Sequence, residues 1–211
     1  MRITALETQT NNPERVNLYV DGHFLMGVSA TLVLQQGFFV EQDISAEQLD
    51  QLSSAEAEQQ AVEHALNFLS YRPRSRAEVR RYLLRKQTPP DIIEAALTRL
   101  DRLDYVNDRA FAGFWIENRE QFSPRSSRAL KYELRMKGVE REVADELVNE
   151  EQDEERALLA GRKKALSLLR QPGIEYAMFR ERLSAFLLRR GFGYEVTART
   201  VKALWQELKE A

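Results

Sequence analysis

The 211-residue chain contains no cysteine. That excludes disulfides, thiolate zinc sites and cysteine nucleophiles, and it suits a reducing compartment. Histidine is almost as scarce. His23 falls in a hairpin segment and His64 in a helical one, and neither has a partner at metal-ligand spacing. No glycine-rich loop of the phosphate- or dinucleotide-binding type occurs. No stretch approaches the ~20 apolar residues of a membrane helix. The start, Met1-Arg2-Ile3-Thr4-Ala5-Leu6-Glu7, lacks the apolar core of a secretion signal. The expectation is a cytoplasmic, monomeric protein without catalytic residues, metal or cofactor.

What the chain has in quantity is charge, unevenly placed. The formal net charge is −2, yet residues 1–63 hold two basic and ten acidic residues, a net of −8, and residues 64–211 carry the balancing +6. Between Ser70 and Pro90 seven cations (Arg72, Arg74, Arg76, Arg80, Arg81, Arg85 and Lys86) face one anion, Glu78. Such asymmetry bears on polyanionic partners. The acidic run Glu150-Glu151-Gln152-Asp153-Glu154-Glu155 reads as a solvated linker and helix start, where carboxylates complement the helix dipole.

Residues 1–52 read as a small α/β head. Val16, Leu18 and Val20 alternate with the period of a half-buried strand. Asp21-Gly22 suits the positive φ angles of a type I′ hairpin turn. Phe24 and Met26 should alternate inward on the return strand, and residues 3–9 supply a third strand. A short helix follows Ser29 and stops at Gly37. Ser45 with Gln48 forms a capping box for the next.

Beyond the head the pattern is helical and repeats itself. Val79-Arg-Arg-Tyr-Leu-Leu-Arg-Lys86, Leu130-Lys-Tyr-Glu-Leu-Arg-Met-Lys-Gly138 and Leu183-Ser-Ala-Phe-Leu-Leu-Arg-Arg-Gly191 align, with Leu83, Leu134 and Leu187 in register at separations of 51 and 53 residues. Each ends in cations, which suit a helix C-terminus, and in two copies a glycine stops the helix. An amphipathic helix precedes and follows each copy. The leading helix of the third copy is marked by Leu158, Leu159, Leu166 and Leu169. Start signals are Ser75 with Glu78, Ser123-Pro124, and Asn107 or Asp108. The fold expected is mainly α: three tandem three-helix repeats, at 53–106, 107–152 and 153–211, stacked into an elongated curved array.

The candidate binding residues are basic. They are Arg72, Arg74, Arg76, Arg80 and Arg81 in copy one, Arg125, Arg128, Lys131 and Arg135 in copy two, and Arg162, Lys163 and Lys164 in copy three. Stacked in register they would form an interrupted stripe able to follow a phosphate backbone or meet an acidic protein groove. Arginine dominates, which favours bidentate contact with phosphate or carboxylate. Tyr71, Tyr82, Tyr105 and Tyr132 are expected to pack rather than to stack on bases.

Particular stretches resemble the RecX family. They are Ala65-Leu66-Asn67-Phe68-Leu69-Ser70-Tyr71-Arg72-Pro73-Arg74-Ser75-Arg76-Ala77-Glu78, Leu103-Asp104-Tyr105-Val106-Asn107-Asp108-Arg109-Ala110-Phe111-Ala112, Trp115-Ile116-Glu117-Asn118-Arg119, Glu133-Leu134-Arg135-Met136-Lys137-Gly138-Val139, and Leu187-Leu188-Arg189-Arg190-Gly191-Phe192-Gly193-Tyr194-Glu195. The resemblance implies three-helix repeats lying in the groove of a RecA filament on single-stranded DNA. It also implies modulation, usually inhibition, of RecA's ATPase and strand exchange, hence a role in recombination, DNA repair and the SOS response. One departure is visible: Gln87-Thr88-Pro89-Pro90 stands where the family commonly has a Lys-Gly stop, and Pro90 is expected to end the helix instead. A DNA-binding module acting without RecA is the alternative, since three-helix units can present a recognition helix; the pI of 5.9 and the acidic head weigh against it.

Overall fold

The computed structural model describes residues 1–209, so Glu210 and Ala211, the end of the third repeat's expected span, lie outside the described residues. The chain forms two compact units, one of residues 1–72 with 79–106 and one of 73–78 with 107–211. The fold is mainly helical, with a small three-stranded sheet at the N-terminus.

The first unit opens with β1 (Ile3–Gln9), β2 (Asn12–Val20) and β3 (His23–Ser29), paired antiparallel in chain order. Val16, Leu18 and Val20 point into the head's core as the alternation predicts. Asp21 and Gly22 both take positive φ, 49° and 81°, as a type I′ turn requires. Phe24 does not turn inward. The β2–β3 register slips between Leu18, paired with Met26, and Tyr19, paired with Phe24. That irregularity leaves Leu25 as an extra residue. Phe24 therefore faces out, edge-on to Tyr19 at 5.8 Å.

Helix α1 (Ala30–Gln36) ends at Gly37 in the left-handed conformation. Helix α2 (Ala46–Leu69) starts on the expected Ser45–Gln48 capping box. It serves two cores: Leu52 packs with Ile3, Leu18 and Val28 in the head, while Ala61, Val62 and Ala65 pack in the first helical triplet. Between them Glu56, 2% exposed, bonds Arg15 at 2.7 Å and accepts the Ser29 N–H at 2.7 Å. The first triplet is completed by α3 (Arg76–Arg85) and α4 (Pro90–Arg102), around Val79, Leu83, Ile93, Leu97 and Leu100.

The second unit holds α5 (Asp108–Phe122), α6 (Ser127–Met136) and α7 (Arg141–Leu147), then α8 (Asp153–Leu169), α9 (Tyr176–Arg189) and α10 (Tyr194–Lys209). Leu130 and Leu134 centre the core of the former triplet, Leu183 and Leu187 that of the latter. In α8 only Leu169 of the four leucines singled out by sequence packs against the core. The helix buries Ala157, Ala160, Gly161, Ala165 and Leu168, and leaves Leu158, Leu159 and Leu166 exposed. Close approach explains the choice of small residues: a Cβ on Gly161 would come within 2.9 Å of Leu204 Cδ1. Ser123 likewise does not start α6; it caps the end of α5, and Ser126 is the N-cap, accepting the Ala129 N–H.

All three middle helices end in the same turn. The residue after the terminal cation takes positive φ: Gln87 at 60°, Gly138 at 89°, Gly191 at 93°. Its N–H and the next one return to the last helical carbonyls, Gln87 to Leu84 and Thr88 to Leu83, with the same pattern at Gly138–Val139 and Gly191–Phe192. Pro90 does not stop α3. It occupies the first turn of α4, where its missing N–H costs nothing.

The turns at 138 and 191 are also packing surfaces. A Cβ on Gly138 would meet Ala77 Cβ at 2.3 Å, and one on Gly191 would meet Ser126 Oγ at 2.6 Å and Ala129 Cβ at 2.9 Å. Each turn thus seats on the first turn of the preceding middle helix, whose serine binds it. Ser75 Oγ donates to the Lys137 carbonyl at 2.6 Å, and Ser126 N–H donates to the Arg190 carbonyl at 3.3 Å. Beside each turn lies a carboxylate from the start of the next triplet. Asp108 accepts the Arg76 N–H and Asp153 the Ser127 N–H, both at 2.7 Å. Gln87 is exposed, which is why copy one dispenses with glycine.

Gln87→Gly removes a left-handed strain of roughly 1–2 kcal/mol against the added flexibility of glycine, a net gain of about 1 kcal/mol. Gly138→Ala adds overpacking to strain and costs about 3 kcal/mol. Urea denaturation should move in opposite directions for the two variants. Asp153→Ala strips the bonds from Ser127 and should cost about 2 kcal/mol by the same assay, with Asp153→Asn recovering part of it.

Candidate partner and nucleic-acid interface

The twelve candidate cations divide according to what they meet. Arg72, Arg74 and Arg76 are only partly exposed, around the turn where α3 begins. Arg80 and Arg81 are exposed, and Arg80 pairs with Glu94 on α4. Arg125 sits 3.1 Å from Glu133, which also accepts from Trp115 Nε1 at 2.9 Å and Arg119 Nε at 2.7 Å. Arg119 lies over the Trp115 ring at 4.6 Å and Lys137 Nζ at 4.7 Å, so this aromatic is held in a cationic frame. Lys131 reaches Glu150 at 2.9 Å and Asp145 at 3.2 Å. The Glu150 bond, with help from Asp145, raises its pKa above the ordinary lysine value despite some desolvation. Arg162 pairs with Glu207.

Four remain without a carboxylate partner among the described residues: Arg128, Arg135, Lys163 and Lys164. Arg128 and Arg135 stand seven residues apart on α6 with Tyr132 between them, which places all three on one helical face. Tyr132 is 58% exposed, and Tyr194, 83% exposed at the start of α10, joins the same groove. The groove measures about 630 Å³, and Leu188 and Phe192 complete its lining. Tyr132 therefore does not pack as expected, and Tyr71 and Tyr105 are exposed as well; Tyr82 does pack, stacked on Phe68 at 4.2 Å. The reason at α6 is local: its buried stripe is Leu130 and Leu134, and Tyr132 falls between them on the outer side. Two guanidinium groups flanking exposed aromatic faces form a surface suited to phosphate and stacked bases.

Tyr194 is not among the sequence-derived candidates, although it falls three residues after Gly191, the stop of the third aligned segment. Arg190 was read only as a terminal cation. It donates to Ser123 Oγ at 3.1 Å and the Pro124 carbonyl at 3.0 Å, and lies over Phe186 at 4.6 Å. Burial, then the neighbouring charges of Arg125 and Arg119, lower its pKa from the usual arginine value. No group of three or more His, Asp or Glu able to hold a metal occurs among the described residues. Among them, no helix is long and apolar enough to cross a membrane.

Comparison with known proteins identifies this arrangement. Residues 1–45 match the regulatory protein RecX N-terminal domain, 61–100 the RecX first three-helix domain, and 107–148 the RecX second three-helix domain. The chain belongs to the RecX family. Among relatives named regulatory protein RecX, that of Lactobacillus gasseri is 29% identical over 209 residues, covering 99% of this chain and 76% of the relative. That of Clostridium botulinum is 28% identical over 204 residues, covering 95% of both. These RecX relatives extend across the third triplet, where the three domain matches do not reach. A crystal structure of regulatory protein RecX superposes with a TM-score of 0.72 at 23% identity, covering 92% of this chain and 96% of that one. RecX from Lactobacillus salivarius superposes at 0.61 with 24% identity, covering 71% and 97%. Those likenesses confirm the fold, sheet-bearing head included.

Glu133 is the anchor that keeps Arg125 and Trp115 out of the binding inventory. Glu133→Gln should lower stability by about 2 kcal/mol, because two arginines lose their counter-charge in a half-buried site. Denaturation followed by tryptophan fluorescence reads both the loss and the altered setting of Trp115; an unchanged midpoint would return Arg125 to the binding surface.

Proposed function

We propose that this chain is a non-catalytic regulator of homologous recombination and of the SOS response. It binds RecA and RecA–single-stranded-DNA filaments in the filament groove and lowers RecA's ATPase and strand-exchange activity. Membership of the RecX family supports the reading, and its relatives are named regulatory proteins. The single observation that carries the docking side is the α6 groove, where Arg128 and Arg135, lacking carboxylate partners among the described residues, flank exposed Tyr132. A nucleoprotein polymer offers such a surface phosphates, carboxylates and unstacked bases together. Of the twelve candidate cations, Arg128 and Arg135 contribute most on this proposal, because ion pairs already occupy Arg80, Arg125, Lys131 and Arg162.

A second reading, direct binding of DNA without RecA, draws on the same groove, since two tyrosines among arginines also suit a bare single strand. Co-sedimentation separates the two. On the first reading the protein pellets with RecA–single-stranded-DNA filaments at salt that abolishes binding to the naked strand. Reversal of both charges, Arg128→Glu with Arg135→Glu, should raise the concentration needed for half-inhibition of RecA ATPase on the order of tenfold, because like charges now oppose the partner. Helicity by circular dichroism should be unchanged, both side chains being exposed. Full inhibition by the double variant would remove the α6 groove from the docking surface.

A further inference from the structure

The remaining unpaired cations, Lys163 and Lys164, belong to a different feature. On α8 they line a cleft of about 510 Å³ together with Arg190 from the α9 turn. Its apolar side is Phe122 at the end of α5, Leu159 on α8 and Phe186 on α9. Phe122 is 71% exposed and Leu159 55%, large values for side chains of their size. Leu159 is among the leucines that the close packing of α8 through alanine and glycine leaves outside the core.

The cleft is short of negative charge. None of Lys163, Lys164 and Arg190 has a carboxylate partner among the described residues. Glu120, the carboxylate in the lining, is taken up by Arg156 at 2.9 Å. Arg190 meets only a hydroxyl and a carbonyl, with Arg125 and Arg119 as its charged neighbours. Other cations of this unit are matched: Lys131 has two acids, and Arg109 has Glu146 in a two-bonded pair at 2.6 and 2.7 Å. Here a positive rim surrounds an exposed apolar wall. A ligand that completes it must bring anions and a bulky apolar group together.

We infer that this cleft binds an acidic peptide segment of a partner protein, seating one large apolar side chain against Phe122, Leu159 and Phe186 while flanking carboxylates meet Lys163, Lys164 and Arg190. A peptide fits better than a nucleic acid for two reasons. The wall is mixed, aliphatic at Leu159 beside the rings of Phe122 and Phe186, and has room for one anchoring group rather than a run of stacked bases, and two of the three cations are lysines, point charges without the planar fork of arginine. The volume falls in the range of pockets that hold a single anchoring group, and an apolar anchor with a charged rim is the usual anatomy of a peptide-binding hot spot. This site is separate from the α6 groove and does not depend on the reading of that groove.

The test uses the full chain and a fluorescein-labelled nonapeptide of alternating aspartate and glutamate with one central phenylalanine. It is compared with the same peptide carrying central alanine, and with labelled oligothymidine. Anisotropy near 0.15 M salt should show the phenylalanine peptide binding on the order of tenfold more tightly than the alanine peptide. Lys163→Glu with Lys164→Glu should weaken it on the order of tenfold, and Leu159→Ala several-fold. Arg128→Glu with Arg135→Glu should leave it unchanged. Carbodiimide should cross-link the peptide to Lys163 or Lys164. Circular dichroism checks that each variant is folded; Lys163, Leu159, Arg128 and Arg135 are exposed and Lys164 is half-buried. Absence of binding, equal binding of the two peptides, or indifference to the lysine reversal overturns the inference. So does a lysine reversal that abolishes oligothymidine binding while sparing the peptide, which would make the occupant a nucleic acid.

Discussion

Two of the middle helices, α3 and α6, depend on carboxylates they do not own. Asp108 and Asp153 each open the next triplet's first helix, and each accepts the N–H of the residue that begins the preceding middle helix. A helix start leaves its first N–H groups without intrahelical partners and carries partial positive charge, so an acid placed there satisfies a donor and the dipole together. The α3 start adds Arg72, Arg74 and Arg76 to that field, and the α6 start adds Arg125 and Arg128. Bringing so many cations to a helix N-terminus is electrostatically unfavourable without the acid. Each acid therefore does more than cap: it makes a basic helix start tolerable.

The glycine turns meet the same helix starts from the other side. At 138 and 191 the positive φ and the contact with the preceding helix both forbid a side chain, whereas at 87 only the φ constraint applies. An exposed glutamine can bear that constraint alone. The glycines of the aligned segments thus report two demands and the glutamine reports one, which is why the first copy departs from the other two at this position.

Much of this was legible in the sequence, and the exceptions share a cause. Strand alternation in β2, the Asp21-Gly22 turn, the Ser45 box and the register of Leu83, Leu134 and Leu187 depend on neighbours within a few residues, where periodicity and caps speak directly. Phe24 was misplaced because one extra residue in β3 reverses a period of two. The α8 leucines mark the helix but not its buried face, because the distance between helices selects small residues for the core, and a one-dimensional pattern carries no interhelical distance. Ser75 and Asn107 could be read as caps, but Asp153 could not be read as a cap for a helix that begins twenty-six residues earlier. The same limit governs the candidate site: counting cations located the basic segments without telling which had carboxylates waiting for them across the fold.

Availability, not abundance, is the ground on which the two proposals choose among the cations. An arginine bonded to a carboxylate must give up that bond before it can meet a partner's anion, so its net contribution to affinity is small even when it is fully exposed. Arg80, Lys131 and Arg162 are in that position. Arg128, Arg135, Lys163, Lys164 and Arg190 are not, and each of these lies beside an exposed aromatic or aliphatic side chain rather than in open solvent. Exposed apolar surface invites association, and a chain with 33 acidic residues had ample means to neutralise the cations beside it. The two surfaces differ in kind, Arg128 and Arg135 with Tyr132 and Tyr194 at α6, and Lys163, Lys164 and Arg190 with Phe122, Leu159 and Phe186 at α8, which is why the proposals give them different ligands.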